Sequence, residues 1–278
     1  MITFLNNKFL DANHDIASND RGLLFGDGLF ETIRAYQGQA LFLKQHWERL
    51  LKTATFLQIP IPFNIEELIQ IITELLHKNN LQNKDARIRI TLTRGLNPKS
   101  RIAIPEMLDP TFLITAIPYY SLPAINNIII SNIKRNEFSP LANMKTLNYL
   151  DNILALQEAK QNGADDALFF NTHNKLACAT TANIFMVKNN QLYTPPLQDG
   201  ALPGIMRSVI LQIAENLEIT VAESSINIEE LKTADELFLT NSLVGIRSIH
   251  HLLGQALTQD LSLTLQKALQ EYIAHISP

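Results

Sequence analysis

Strand-like and helix-like patterns alternate along nearly the whole chain, and this alternation constrains the fold more than any other feature. Apolar residues recur at helical spacing over residues 44–57. A second helix is predicted after Asn64, because Glu67 three residues later completes a capping-box pattern. The runs 87–93 and 111–117 are typical of strands. Strands that alternate with helices indicate an α/β or α+β protein.

Both halves of the chain contain further predicted elements. Apolar residues on either side of Asn6-Asn7 predict a hairpin, since asparagine tolerates left-handed turn geometry. The helix after Asn64 is predicted to bury a face that includes Leu68 and Ile69. In the second half, helices are predicted at 147–162, at 205–216 and from 261 onward, and strands at 128–130, 167–170, 183–187, 192–194 and 237–240.

The length of 278 residues fits two domains. Residues 118–123 contain two prolines and interrupt both periodicities, which predicts a linker. We therefore expect an N-terminal α/β domain over residues 1–117 and a C-terminal α/β domain over residues 124–278. Lys145 falls in the second of these.

Charge and cysteine content exclude several classes of protein. There are 23 Lys and Arg residues against 27 Asp and Glu residues, a net charge of −4, so nucleic acid is not an expected partner. The single cysteine, Cys178, excludes a disulfide framework and a zinc site with several thiolates. The N-terminus lacks the pattern of a signal peptide, and prolines and asparagines interrupt the uncharged stretch 110–133. We expect a cytoplasmic protein without a membrane segment.

Common catalytic motifs do not occur. Gly26-Asp27-Gly28 begins like a dinucleotide-binding fingerprint, but Glu31 stands where that fingerprint requires glycine. His250 and His251 are adjacent, a spacing that does not place two ligands on one helix face. No metal site is therefore expected.

Lys145 is the only charged residue between Glu137 and Asp151, and apolar residues surround it in the sequence. Burial disfavours an ammonium group and lowers its pKa, which leaves a free amine able to act as a nucleophile or form a Schiff base. The alternative is an ordinary solvated lysine.

Three further features are suited to binding an anion. Arg49 follows His46 by three residues on the first long helix. Ile205 and Met206 open another helix, whose first backbone N–H groups have no partners within the helix. Ser242 offers a hydroxyl after a predicted strand. Each feature has an alternative explanation, such as a surface ion pair for Arg49 or a simple turn before Ile205.

The sequence resembles the fold-type IV pyridoxal-phosphate enzymes, which include branched-chain and D-amino-acid aminotransferases and aminodeoxychorismate lyase. The matching motifs occur in the family's order and cover most of the chain. They are DRGLLFGDGLFE at 20–31, HWERL at 46–50, KTLNYL at 145–150, TANIF at 181–185, LYTP at 192–195, LPGIMR at 202–207 and DELF at 235–238.

The resemblance implies a two-domain α/β fold with pyridoxal 5'-phosphate in the cleft between the domains. It makes Lys145 the Schiff-base lysine and proton carrier. It also implies a homodimer in which the loop 99–101 reaches the partner's site. Arg49, the backbone of Ile205 and Met206, and the Ser242 hydroxyl would bind the cofactor phosphate. The implied substrate-binding residues are Phe30, Lys99 and Arg101.

Cys178 departs from the family pattern. The family has a glutamate at this position, which keeps the pyridine nitrogen of the cofactor protonated and makes the ring a strong electron sink. A thiol is at best a weak hydrogen-bond partner, so Cys178 is expected to be a small buried hydrophobic residue. The missing carboxylate should impair transamination most. An elimination that ends in an aromatic product has its own driving force.

The segment 240–246 most resembles the aminodeoxychorismate lyases. Lys99 and Arg101 offer two cations for a carboxylate, although D-amino-acid aminotransferases have a comparable Arg-x-His pair and a solvated loop is the alternative. Ile102-Ala103 after Arg101 is a second departure, since the lyases tend to have Gly-Tyr there. The expected function is 4-amino-4-deoxychorismate lyase, which forms 4-aminobenzoate and pyruvate for folate biosynthesis. The alternatives are a D-amino-acid or branched-chain aminotransferase and a non-catalytic relic.

Overall fold

The computed structural model describes residues 1–13, 15–97 and 102–276. They form two compact units. Unit 1 comprises Met1–Tyr120 and Lys145–Asn148, and unit 2 comprises Ser121–Met144 and Tyr149–Pro278. The chain passes from unit 1 to unit 2 at Tyr120, within the predicted linker. The short segment that carries Lys145 packs with unit 1, although its sequence position lies in the predicted C-terminal domain.

Unit 1 is an antiparallel sheet with the strand order β2-β1-β6-β5-β3-β4, covered by two long helices. Its elements are β1 (Ile2–Leu5), β2 (Lys8–Asp11), α1 (Arg21–Phe25), β3 (Gly28–Tyr36), β4 (Gln39–Ala40), α2 (Leu43–Leu57), α3 (Ile65–Lys78), β5 (Ala86–Thr93) and β6 (Thr111–Pro118).

Local sequence signals account for much of unit 1. Asn6 and Asn7 adopt positive φ angles of 44° and 67° in the β1–β2 turn, which confirms the predicted hairpin. The capping box at the start of α3 is present, with Asn64 and Glu67 bonded reciprocally. The prediction that Ile69 lies on the core face of α3 is wrong, because Ile69 is 46% exposed.

The core of unit 1 lies between the sheet and the two long helices. The buried stripe of α3 passes through Leu68, Ile72 and Leu75, so Ile69 falls beyond its edge. From α2, Trp47 and Leu50 belong to the same buried cluster. Helix α2 is thereby held against the strand that carries the charged residues described below.

The segment that contains Lys145 is extended, not helical. The Phe30 N–H donates to the Lys145 carbonyl at 2.9 Å, and the Leu147 N–H donates to the Gly28 carbonyl at 3.0 Å. Leu29 and Thr146 form an antiparallel bridge between these bonds. The helix predicted from residue 147 therefore begins only at Leu150, because the preceding backbone groups are already paired with β3.

Unit 2 is a mixed sheet with the order β12-β11-β10-β13-β14-β7-β8-β9, and β15 pairs with β14. Its strands are β7 (Ile125–Ile130), β8 (Asp166–Phe170), β9 (Leu176–Ala179), β10 (Asn183–Lys188), β11 (Gln191–Thr194), β12 (Val221–Glu223), β13 (Glu236–Asn241), β14 (Gly245–Leu252) and β15 (Gln255–Ala256). Its α-helices are α4 (Leu150–Gln161), α5 (Ile205–Asn216), α6 (Ile228–Lys232) and α7 (Asp260–Ile276).

The two sheets with their helices confirm the predicted α/β class. Sequence patterns did not identify β9, whose four residues are all buried, since such a strand has no alternation to detect. The rings of Phe185 and Phe238 stack at 5.1 Å between centroids and join β10 to β13. Among the helices described, none is long and apolar enough to cross a membrane.

Candidate active site

Lys145 lies beside β3 in unit 1, where its Nζ is 4.4 Å from the centroid of the Phe30 ring. Burial lowers the pKa of Lys145 to about 8. The negative charge of Glu31 opposes this effect, and the positive charges of Arg49 and Arg89 add to it. The free amine therefore becomes accessible closer to neutral pH than in an ordinary lysine, as a nucleophilic lysine requires.

Arg49 is bound by a buried carboxylate. Its Nε donates to Glu31 Oε1 at 2.8 Å, and its Nη2 donates to Glu31 Oε2 at 2.6 Å. The Glu31 side chain is 1% exposed and that of Arg49 is 10% exposed, so this is a buried ion pair. Burial alone would raise the pKa of Glu31, but the charge and hydrogen bonds of Arg49 and His46 outweigh it and hold the pKa at about 2.

His46 completes the group around Glu31. Its Nδ1 lies 2.7 Å from Glu31 Oε2, and its side chain is 1% exposed. Burial holds the pKa of His46 below its ordinary value, so the ring is neutral and Nδ1 carries the proton donated to Glu31. In the part of the chain that the structure describes, nothing bonds to the buried Nε2.

The structure adds Arg89 to the residues that the sequence singled out. The guanidinium of Arg89, on β5, lies 3.9 Å from the centroid of the Phe30 ring. Phe30, a predicted substrate-binding residue, thus has cationic groups of both Arg89 and Lys145 against its ring. Arg89 was overlooked because it belongs to an alternating strand and looks like a solvated side chain. Lys99 and Arg101 lie outside the described residues.

In unit 2, the predicted anion-binding backbone is at the start of α5. Gly204 is the N-cap, and no side chain in the described part of the chain caps this helix. A Cβ on Gly204 would come within 2.0 Å of Asn183 Oδ1, so only glycine permits this close approach. Asn183 Nδ2 donates to the Leu202 carbonyl at 2.8 Å and ties the loop before α5 to β10. The N–H groups of Ile205 and Met206 are in the uncapped first turn.

A hydroxyl that the sequence did not single out lies on the strand paired with β10. Thr240 on β13 is paired with Asn183 on β10, and its buried Oγ1 has no hydrogen-bond partner among the described residues. Ser242, the hydroxyl chosen from the sequence, lies two residues further on, in the turn after β13. The signal that could have identified Thr240 is a hydroxyl residue at the carboxyl end of a buried strand.

Cys178 is 7% exposed and packs in a cluster of small and aromatic residues that includes Ala155 and Phe169. Burial raises the pKa of the Cys178 thiol, so the group is neutral. The nearby Asp166 is also buried, and its Oδ1 accepts hydrogen bonds from the Thr180 hydroxyl at 2.6 Å and the Ala167 N–H at 2.8 Å. Position 178 thus provides a neutral thiol in an apolar cluster.

Each unit has groups that fit part of pyridoxal phosphate. The uncapped first turn of α5 and the unbonded Thr240 hydroxyl are hydrogen-bond donors that match a phosphate group. The Lys145 amine, with its lowered pKa, matches an aldehyde. Both features are expected in one class of protein, the enzymes that hold a phosphorylated aldehyde cofactor on a lysine.

Comparison with known proteins specifies the family. The model of the family "Amino-transferase class IV" matches residues 28–252, and the chain belongs to this family. Its cofactor is pyridoxal phosphate, as predicted. The protein is an enzyme of the group that contains class IV aminotransferases and aminodeoxychorismate lyases.

Three relatives cover nearly the whole chain. A protein of Methanocaldococcus jannaschii named "Putative branched-chain-amino-acid aminotransferase" is 36% identical over 98% of this chain and 94% of its own length. D-alanine aminotransferase of Staphylococcus haemolyticus is 30% identical over 97% of both chains. The crystal structure of a "Putative 4-amino-4-deoxychorismate lyase" from Legionella pneumophila has 33% identity and a TM-score of 0.86, covering 94% of this chain and 96% of that one.

Proposed function

We propose that this enzyme is a 4-amino-4-deoxychorismate lyase that forms 4-aminobenzoate and pyruvate. The observation that carries the proposal is the neutral, buried thiol of Cys178. A thiol does not hold a pyridine nitrogen in its protonated form, so the cofactor would be a weaker electron sink. A reaction whose product becomes aromatic tolerates this weakness better than transamination does.

The proposed roles of the residues follow from their chemistry. When bound, pyridoxal phosphate makes the C–H bond next to the substrate nitrogen more acidic. Lys145 would hold the cofactor, and its neutral amine would accept the proton from the carbon that bears nitrogen. The C–O bond to the enolpyruvyl group would then break as the ring aromatises, and the released enolpyruvate would take up a proton to become pyruvate.

Several further residues are proposed to bind the cofactor or the substrate. In unit 2, the N–H groups of Ile205 and Met206 and a hydroxyl of Thr240 or Ser242 would bind the cofactor phosphate. In unit 1, the Arg49 guanidinium would bind the same phosphate. For the substrate, Phe30 offers an aromatic face, and Arg89 joins Lys99 and Arg101 as cations for its carboxylates.

Measurement of two products tests the proposal. Purified enzyme loaded with pyridoxal phosphate is given 4-amino-4-deoxychorismate, and 4-aminobenzoate and pyruvate are quantified. We expect both products in equal amounts, and loss of both in Lys145→Ala. Absence of 4-aminobenzoate, together with conversion of an amino acid to its 2-oxo acid, would contradict the lyase.

An aminotransferase for branched-chain or D-amino acids is the second candidate, favoured by the identities of 36% and 30% to proteins with those names. The variant Cys178→Glu separates the two candidates. For a lyase, we expect the rate of 4-aminobenzoate formation to change little in this variant while any transamination increases. If the native enzyme transaminated faster than Cys178→Glu, the thiol would not be the reason for weak transamination, and the support that Cys178 gives to the lyase would be lost.

We also propose that the enzyme is a homodimer and acts in the cytoplasm in folate biosynthesis. In unit 1, the apolar side chains of Leu23, Leu24 and Phe25 on α1 are exposed, and burial against a second copy would be favourable. Light scattering on the purified protein is expected to give twice the 31.3 kDa mass of the chain.

A further inference from the structure

Glu31 occupies a position that an apolar residue would ordinarily fill. Its neighbours on the same face of β3, Leu29 and Ile33, are almost completely buried in the core of unit 1. A buried carboxylate at such a position is unfavourable unless other groups compensate for the lost hydration. Well-packed apolar residues often replace buried ion pairs without loss of stability, so stability alone does not explain Glu31.

We propose that Glu31 is a positioning residue of the active site: it orients the Arg49 guanidinium, selects the tautomer of His46 and places a negative charge that acts on Lys145. This inference rests on the proposed function, in which Lys145 holds the cofactor and Arg49 binds its phosphate. It assigns a role to a residue whose neighbours in the sequence are those of an ordinary strand.

The first part of the role concerns Arg49. The two oxygens of Glu31 accept hydrogen bonds from Nε and Nη2, which together form one edge of the planar guanidinium. A bidentate contact of this kind fixes both the position and the plane of the group. The directions from which a phosphate can approach Arg49 are thereby restricted, and the side chain does not have to be ordered when the phosphate binds.

The second part concerns His46. Since Nδ1 donates to Glu31, the lone pair of the neutral ring is on Nε2, which is buried and has no donor among the described residues. The ring therefore offers one buried acceptor in a fixed orientation. Without the carboxylate, no group among the described residues would bond to Nδ1 and select this tautomer over the other.

The third part concerns Lys145. The charged side chains that act on it come from three elements: Glu31 on β3, Arg49 on α2 and Arg89 on β5. Glu31 is the one negative charge among these groups, while His46 is neutral. It stabilises the ammonium form of Lys145 against burial and against the two guanidinium groups. The amine consequently remains basic enough to accept a proton as well as to attack an aldehyde.

Competitive labelling of the full-length, cofactor-free protein tests the charge effect. Lys145 is labelled with acetic anhydride from pH 6 to pH 11 and quantified by peptide mass spectrometry, after circular dichroism has confirmed that each variant is folded. We expect a midpoint near pH 8 in the wild type. In Glu31→Gln, which removes the charge and keeps the shape, the midpoint should fall by about one unit or more.

The matched control is Asp85→Asn. Asp85 pairs with Arg34, also on β3, with 2.5 Å between Oδ2 and Nη2, but it does not act on Lys145. This variant also removes the carboxylate of an ion pair, but the pair is more exposed and the carboxylate does not act on Lys145, so the labelling midpoint should equal that of the wild type. An equal shift in both variants would mean that any loss of charge moves the midpoint, and would overturn the specific role of Glu31.

A second measurement tests the positioning of Arg49. The affinities for pyridoxal phosphate and for pyridoxal, which lacks the phosphate, are compared as a ratio. In Glu31→Gln the ratio should fall about tenfold, because the oriented guanidinium contributes only to phosphate binding. In Glu31→Asp the charge is kept but the shorter side chain cannot make all the contacts, so the ratio should fall while the labelling midpoint stays near that of the wild type.

An unchanged midpoint and an unchanged ratio in Glu31→Gln would overturn the proposal. The outcome is also independent of the lyase assignment. A shifted midpoint in a protein that forms no 4-aminobenzoate would retain the role of Glu31 and reject the proposed reaction. Formation of 4-aminobenzoate without a shift of the labelling midpoint in Glu31→Gln would retain the proposed reaction and reject the charge effect of Glu31 on Lys145.

Discussion

The candidate site residues of the two units differ in the kind of chemistry they offer. In unit 1, the charge of Arg49 lowers the pKa of Glu31, and the charges of Glu31 and Arg49 both act on the pKa of Lys145. In unit 2, the start of α5, Thr240 and Cys178 are neutral groups held in place by backbone pairing and close packing. Replacing a charged group in unit 1 should therefore alter both stability and chemistry. Replacing a residue in unit 2 should act mainly through shape.

The largest effect is expected at the one residue of unit 1 with a proposed covalent role. Lys145→Ala should lower the rate of product formation by about 10²- to 10⁴-fold, because nucleophile and proton carrier are lost together. Borohydride treatment followed by peptide mapping should detect cofactor on Lys145 in the wild type only. The control is Lys134→Ala, which removes an exposed lysine of unit 2. If the cofactor were attached to another lysine, the proposed role of Lys145 would be wrong.

The next largest effect is expected from breaking the buried ion pair between Arg49 and Glu31. Arg49→Leu leaves the Glu31 carboxylate buried without its guanidinium partner, which should lower the free energy of unfolding by about 3–5 kcal/mol. Urea denaturation measures this change. Arg34, on the same strand as Glu31, forms a more exposed ion pair with Asp85. Breaking this pair in Arg34→Leu should lower the free energy of unfolding by about 1 kcal/mol or less. Equal losses in the two variants would contradict the distinction between buried and exposed pairs.

A smaller effect is expected from shape in unit 2. Gly204→Ala places a Cβ against Asn183 Oδ1 and should lower the free energy of unfolding by about 1–3 kcal/mol. It should also weaken the binding of pyridoxal phosphate, because the loop that presents the α5 N-terminus must shift. In Gly254→Ala the added Cβ meets no other atom within 4 Å, so the cost is the left-handed backbone strain of about 1–2 kcal/mol. If the affinity for pyridoxal phosphate were unchanged in Gly204→Ala, this loop would not be part of the phosphate site.

The smallest effect is expected at Cys178. Cys178→Ala removes one buried sulfur atom from a cluster that already consists largely of alanine, and should cost about 1 kcal/mol of stability. The rate of 4-aminobenzoate formation should stay within about threefold of that of the wild type. A large loss of activity in this variant would show that the thiol itself takes part in the reaction.

Local signals in the sequence predicted many of the elements but not the contacts of the charged residues. Asn6-Asn7 and the capping box at Asn64 specify their own turns through short-range hydrogen bonds, so they could be predicted without the fold. The role of Glu31 could not be predicted in this way, because its partners Arg49 and His46 lie on α2 and reach it only in the folded structure. In the sequence, Glu31 rules out a dinucleotide-binding motif and ends the family motif at 20–31, but neither observation identifies its partners.

The sequence by itself determined the α/β class and the order of the motifs, since periodicity and residue types are properties of the chain. It also indicated that Lys145 lies in an apolar segment. The tertiary structure decided that this segment pairs with β3, since hydrogen bonds to a strand more than one hundred residues earlier prevent the predicted start of the helix. Only the tertiary structure, likewise, brought Glu31, Arg49 and Arg89 close enough to set the charge of Lys145, because electrostatic interactions depend on distance in space and not along the chain.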